Sequence, residues 1–285
     1  MLASTPLFAG HRTSDSINSM KPEQSIRKIG LARALSKLGY CSRSQARELI
    51  RAGRVRLNGS VRRDPEAPVR MEHDRLELDG HAVDPQSKLY LMMNKPRGLV
   101  TTAADEKGRK TVYEVLEQAD GSLPWVAPVG RLDRASEGLL LLTNDSEWSA
   151  RILAPETHLD KTYHVQIGTV ADEKLVHAIM SGVKVEDGDF LRATKARMLR
   201  SGEKNCWLEI VLDEGKNRQI RRMFAALDVE VLRLVRVAIG PLPLGKLAKG
   251  SYHPLTIEEK RALDRAMART GVRISKTCEK QLKSF

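Results

Sequence analysis

Cysteine is scarce. The chain has only Cys41, Cys206 and Cys278, far apart and never in a Cys-x-x-Cys spacing. That argues against a disulfide framework or a structural zinc site and points to a reducing compartment, the cytoplasm. Long apolar runs are missing as well. No stretch approaches the roughly 20 residues of a membrane span, so no membrane partner is expected. The glycines form neither a dinucleotide fingerprint nor a phosphate loop, and His and Cys never cluster at ligand spacing, so no cofactor and no metal are expected. Aromatic residues make up only 4%. One absence is local. Between Arg27 and Arg63 there is a single acid, Glu48, against eleven Lys or Arg residues.

What is present fits those exclusions. The 285 residues are 41% hydrophobic, enough for a real core, and carry a formal net charge of +12. Such an excess suits a polyanion, most simply nucleic acid. Met1 to Gln24 lacks a charged segment followed by an apolar core and reads as a disordered tail rather than a signal peptide. Leu31, Leu35 and Leu38 fall at helical spacing, with Gly39 placed to end the helix. Ser42 and Gln45 form a capping box for a second helix whose apolar stripe is Ala46, Leu49 and Ile50. On its other side Arg43, Arg47 and Arg51 recur every four residues as one basic ridge. Val55 to Leu57 is a strand, and Asn58-Gly59 is a type I′ hairpin signal.

A second stretch organises the rest: Val129-Gly130-Arg131-Leu132-Asp133-Arg134-Ala135-Ser136-Glu137-Gly138-Leu139-Leu140-Leu141-Leu142-Thr143-Asn144-Asp145. Leu139 to Leu142 is a continuous apolar run, short enough to be a strand buried on both faces. Asn144 looks like an N-cap, with Glu147 three residues on, for a helix through Trp148 and Leu153. Asp133 therefore sits on a loop feeding a buried strand, which is how folds present a reactive carboxylate. The bland alternative is a turn residue or a surface ion pair.

This string resembles the catalytic motif of ribosomal-RNA pseudouridine synthases, in the branch typified by the small-subunit enzyme. The run Gly39 to Gly59 resembles the RNA-binding module of ribosomal small-subunit protein four, over about residues 26 to 83 and including the Asp79-Gly80 turn. The resemblance implies that Asp133 is the nucleophile and that Arg131 is the wedge replacing the extruded base, with Arg134 beside a phosphate. Asn94-Lys95-Pro96-Arg97-Gly98, a turn that should leave Lys95 and Arg97 exposed to RNA, resembles the element that opens the catalytic domain. Lys161 to Ile167 alternates with period two, placing Tyr163 on one face and His164 on the other. By pattern Tyr163 is a half-buried core residue; by resemblance it stacks on the target uracil. The Lys216 to Phe224 segment is a basic amphipathic helix in which Arg221 is implied to pair with Asp133, leaving Arg218 and Arg222 to contact RNA.

The expected architecture is α+β: a disordered tail (1–25), a small helix-hairpin RNA-binding domain (26–84), and a larger catalytic domain (85–270). That domain is a mixed, mostly antiparallel β-sheet with flanking helices. Residues 271–285 form a basic tail, and Ala103 to Lys110 look like a mobile loop. The expected partner is ribosomal RNA, bound by a monomer. Two rivals are a non-catalytic ribosome-associated RNA-binding protein, which has no use for Asp133, Tyr163 and Arg221 together, and a glycosidase with Glu137 as second carboxylate.

Overall fold

The structure, a computed structural model, describes residues 28–103, 105–117 and 123–268. The expected tails at 1–25 and 271–285 lie outside the described residues. No helix among those described is long and apolar enough to cross a membrane.

In the amino-terminal part, β1 (Ile29–Gly30) leads into α1 (Leu31–Lys37), and α2 (Arg43–Arg51) follows after a turn at Gly39, whose φ is +83°. Ser42 caps α2 in a reciprocal box with Gln45. The strands β2 (Val55–Leu57), β3 (Ser60–Val61), β4 (Pro68–Val69), β5 (Leu76–Leu78) and β6 (His81–Ala82) complete it. Their sheet order is β3-β2-β5-β6, with β1 and β4 paired separately. Asn58-Gly59 and Asp79-Gly80 all have positive φ, as type I′ turns require. Leu31, Leu35, Ala46, Ile50, Val55 and Val69 close a core here. Facing it inward leaves Arg43, Arg47 and Arg51 exposed on the opposite side of α2. Among the described residues, the one carboxylate that pairs with any of them is Glu66, 3.7 Å from Arg47.

A nine-stranded sheet forms the second part. Its strands are β7 (Tyr90–Lys95), β8 (Ala127–Val129), β9 (Glu137–Thr143), β10 (Lys161–Ile167), β13 (Lys195–Ser201), β14 (Cys206–Leu212), β15 (Val231–Ile239), β16 (Leu242–Pro243) and β17 (Tyr252–Pro254). The main path runs β13-β14-β10-β15-β9-β7-β17, and the small hairpin of β11 (Val183–Lys184) and β12 (Phe190–Leu191) stands apart. All of these pairings are antiparallel except β9 with β15. The helices are α3 (Tyr113–Glu117), α4 (Ser146–Leu153), α5 (Glu173–Ser181), α6 (Gln219–Ala225) and a last one over 257–268, entered through the Thr256–Glu259 capping box.

Strand β9 is the axis. All seven of its residues are buried, and its leucines alternate between two cores. Leu139 and Leu141 join Trp148 and Ile152; Leu140 and Leu142 join Leu91 and Met93. Residues apolar on both faces can only be satisfied by such a central strand. Gly138 pairs with Arg236 across the parallel junction. Its φ is +101°, and a Cβ there would collide with the Arg236 backbone, so only glycine lets β9 and β15 approach.

One local expectation needs correction. Asp145, not Asn144, caps α4, accepting from the N–H groups of Glu147 and Trp148. The Asn144 amide instead bonds backbone at Ser87 and Leu89, tying in the segment before β7. Between Ala103 and Lys110, Arg109 donates three hydrogen bonds to the Asp105 carboxylate from its guanidinium. That pair closes the loop on itself.

Candidate active site

Asp133 lies between β8 and β9 on a loop whose carbonyls from Leu132 to Ser136 are all engaged. The Thr101 hydroxyl donates to the Leu132 carbonyl at 2.8 Å. Gly98 N–H donates to the Arg134 carbonyl at 2.7 Å, and Ser136 N–H to the Asp133 carbonyl at 3.0 Å. Lys95 Nζ donates to the carbonyls of Asp133 (3.2 Å), Ser136 (3.0 Å) and Pro96 (3.2 Å). Arg221 Nη2 donates to the Ala135 carbonyl at 3.2 Å. Every carbonyl from Leu132 to Ser136 thus has a donor from another segment or from the turn itself. The carboxylate is left free of this work, on a rigid support.

That carboxylate faces a cleft of about 170 Å³ whose lining includes Arg131, Asp133, Lys161, Tyr163, Arg218 and Arg236. Arg218 Nη1 stands 3.3 Å from Asp133 Oδ2. Arg218 is the N-cap of α6 and sits in the left-handed region at φ +47°, a conformation a long side chain adopts only when its surroundings impose it. The next residue supplies the constraint. Gln219 is buried, donating to Glu214 (2.8 Å) and to the Arg192 carbonyl (3.2 Å). Tyr163 comes from the face of β10 shared with Val165 and Ile167 and packs against cores on both sides. Tyr163 is half-buried, as its alternation predicted, and lines the cleft.

Several expected site residues are placed otherwise. Arg221 does not bond Asp133; its guanidinium spans the carbonyls of Ala135 and Val231. Burial and the neighbouring Arg218 lower its pKa, while Asp133 opposes them, so the charge is felt at the carboxylate without a direct bond. Arg222 turns away to Asp187 and Asp189. Lys95 is not exposed but fully buried, a consequence of three carbonyls converging on one ammonium. Arg97, Arg131 and Arg134 are exposed, and Arg134 is tethered through Nε to the Gly98 carbonyl at 3.3 Å. Arg43, Arg47 and Arg51 stand on α2, outside the cleft lining. Glu137, the second carboxylate of the glycosidase reading, is buried against Arg233 and Lys249 and lines no part of the cleft.

Burial lowers the Lys95 pKa to about 8, against the pull of Asp133 and Glu137. The unfolded chain keeps this proton to about pH 10.4. Between those values the unfolded state binds more protons, so this group's contribution to stability rises with pH. Its grip on the loop and its positive field at Asp133 weaken over the same range. Turnover should therefore fall as pH rises through about 8, without a fall in thermal midpoint attributable to Lys95. A pH–rate profile checks this: the step should vanish in Lys95→Met, which should also be much slower, and a profile identical to wild type would refute the assignment.

Sequence reading missed Lys161, Ser136, Gln219 and Arg236. A polar side chain on a strand face that otherwise packs in the core, as Lys161 and Arg236 do, was the available signal.

Residues 89–226 match the family described as RNA pseudouridylate synthase, and residues 29–76 match the S4 domain. An uncharacterised RNA pseudouridine synthase of Aquifex aeolicus is 39% identical over 84% of this chain and 95% of its own. The ribosomal large subunit pseudouridine synthase B of Bacillus subtilis is 35% identical over 85% of this chain and 97% of its own. A crystal structure of a pseudouridylate synthase superposes with a TM-score of 0.58 at 30% identity, covering 82% of this chain and 99% of that one. The Bacillus relative's name specifies the large subunit, where the motif had suggested the small-subunit branch.

Proposed function

We propose, from the premise that this chain belongs to the RNA pseudouridylate synthase family, that Asp133 is its nucleophile and ribosomal RNA its substrate. The enzyme converts uridine in RNA to pseudouridine. The bond from C1′ to N1 breaks, the base turns, and C1′ bonds C5 instead; N1 gains a proton and C5 gives one up.

The observation that carries the Asp133 assignment is its position: one carboxylate, paired with Arg218, on a loop braced at the carbonyls of Leu132 to Ser136, at the wall of a cleft of about 170 Å³. The Arg218 guanidinium, 3.3 Å away, orients the carboxylate at the cleft wall, where a nucleophile must stand. Tyr163 stacks on the uracil and is positioned to help take the C5 proton. Arg131, exposed two residues before the nucleophile, fills the gap left by the extruded base, whose unstacking costs a few kcal/mol. Arg97, Arg134 and the mouth-side face of Arg218 contact backbone phosphate. The division into a binding part (26–84) and a catalytic part (85–270) follows the two sets of cores, and the enzyme works where ribosomal RNA is assembled, in the cytoplasm.

The loss of hydrogen from C5 provides the test. Ribosomal RNA transcripts carrying tritium at uridine C5 should release it to water on incubation with the protein, large-subunit RNA first in view of the Bacillus relative. Release from transfer RNA alone would overturn the choice of substrate.

The exposed ridge on α2 gives a separate expectation. A row of arginines can match phosphates along a folded RNA, and each neutralised phosphate releases counterions. Changing Arg43, Arg47 and Arg51 together to Gln should weaken RNA affinity at least tenfold in about 0.1 M salt and flatten the slope of log Kd against log salt by roughly 2–3 units. An unchanged slope in a salt titration would remove the ridge from the interface.

A further inference from the structure

Among the described residues three buried side-chain atoms have no hydrogen-bond partner: one on Arg221, outside the cleft lining, and one on each of two residues that line the cleft. The Ser136 hydroxyl and Arg236 Nη2 are sealed from water and make no hydrogen bond; their residues are 2% and 6% exposed. Both residues line the cleft that holds Asp133. A buried polar group without a partner opposes folding, and nothing in the scaffold requires either atom. Ser136 braces the loop entirely through its backbone, which donates to Asp133 and accepts from Lys95; alanine could do the same. Arg236 is anchored by Nε to the Leu139 carbonyl at 2.7 Å, which fixes the guanidinium and leaves Nη2 unused. The two belong to one piece of wall, because Arg236 pairs with Gly138, two residues beyond Ser136.

We propose that Ser136 Oγ and Arg236 Nη2 form the polar end of the base pocket and donate hydrogen bonds to a ring carbonyl of the extruded uracil. The inference rests on the reading of the cleft as a uridine site. Uracil presents a carbonyl, an N–H and a second carbonyl along its imide edge. The turn that exchanges N1 and C5 runs about the N3–C6 axis and so also exchanges the two carbonyls. A donor pair at that edge finds an acceptor before and after the turn. Cytosine carries an amino donor in place of the C4 carbonyl, which a guanidinium cannot bond, so the pair also selects uridine if the carbonyl it meets on entry is that at C4. Both atoms are sealed from water in the free protein, so the entering base must open access to them, as in a site completed by its substrate.

Ser136→Ala in the full chain is the direct test, assayed on the ribosomal RNA that wild type modifies, with Asp133→Asn as the inactive control. The kcat/KM should fall roughly ten- to a hundredfold, while the thermal midpoint stays level or rises, because an unpaired hydroxyl has been removed. RNA with 2-thiouridine or 4-thiouridine at the target, whose thiocarbonyls are weaker acceptors, should slow wild type for at least one of the two and slow Ser136→Ala by less. Arg236→Lys, which keeps the charge and loses the fork, should lower kcat/KM as well; if it does not fold, Ser136→Ala still decides. A Ser136→Ala enzyme within twofold of wild type, as would follow if an ordered water fills the place, overturns the proposal. So does a loss of activity that tracks a fallen thermal midpoint. Wild type inactive on every uridine-containing RNA would bring down the reading of the cleft, and the inference with it; an active wild type and an indifferent Ser136→Ala bring down the inference alone.

Discussion

Asp133→Asn abolishes pseudouridine formation, by at least about a thousandfold, and leaves RNA affinity and fold intact. The amide has the size of the carboxylate but neither its charge nor its nucleophilicity, and among the described residues no other carboxylate lines the cleft to replace it. Removal of a nucleophile typically leaves only the catalysis that binding alone provides. The fold should not notice. The loop is held by donors to the carbonyls of Leu132 to Ser136, none of which involves the Asp133 side chain. Its one ion pair, to a half-exposed Arg218, belongs to a class that adds little stability. Single-turnover assays and circular dichroism on the same preparation check both halves. Activity near wild type would refute the mechanism.

The three arginines of the α6 region should separate by mechanism. Arg218→Ala removes the only side chain bonded to Asp133 among the described residues, and turnover should fall on the order of a hundredfold or more, as for loss of a preorganised charge partner. Stability should barely move. Arg221→Ala acts on the loop instead. It strips the donor from the Ala135 and Val231 carbonyls, so it should cost about 1–3 kcal/mol of stability along with turnover. Arg221→Lys recovers only part, since an ammonium cannot span both carbonyls as the planar fork does. Arg222→Ala breaks pairs to Asp187 and Asp189 away from the cleft, and turnover should stay within about twofold of wild type. Thermal melts beside kinetics for the three variants decide it. Equal, mild losses in all three would mean that none of them serves the site.

What could be read from the chain was what local patterning dictates. The Leu139 to Leu142 run, the alternation from Lys161 to Ile167, the Ser42 capping box and the Asn58-Gly59 turn each depend on neighbours within a few residues, and each is present. The failures involve distant partners. Lys95 was read as exposed because a charged residue in a Pro-Gly turn usually is; its burial depends on carbonyls some 40 positions away. Asn144 and Asp145 are both capable caps, and which one is used was settled by backbone at Ser87 and Leu89 needing the other. The resemblance implied Arg221 as the partner of Asp133, whereas the left-handed turn at the start of α6 brings Arg218 to the carboxylate. The parallel pairing of β9 with β15, which brings Arg236 beside the catalytic loop, joins segments about 100 residues apart.

Mapping pseudouridines across ribosomal RNA tests the central claim most directly. The strains to compare lack this gene, or carry it back as wild type or as Asp133→Asn. The account predicts that a single site, or a small set of sites, loses its pseudouridine in the deletion, regains it with wild type, and stays unmodified with Asp133→Asn. An unchanged map in the deletion strain, or restoration by Asp133→Asn, would contradict it.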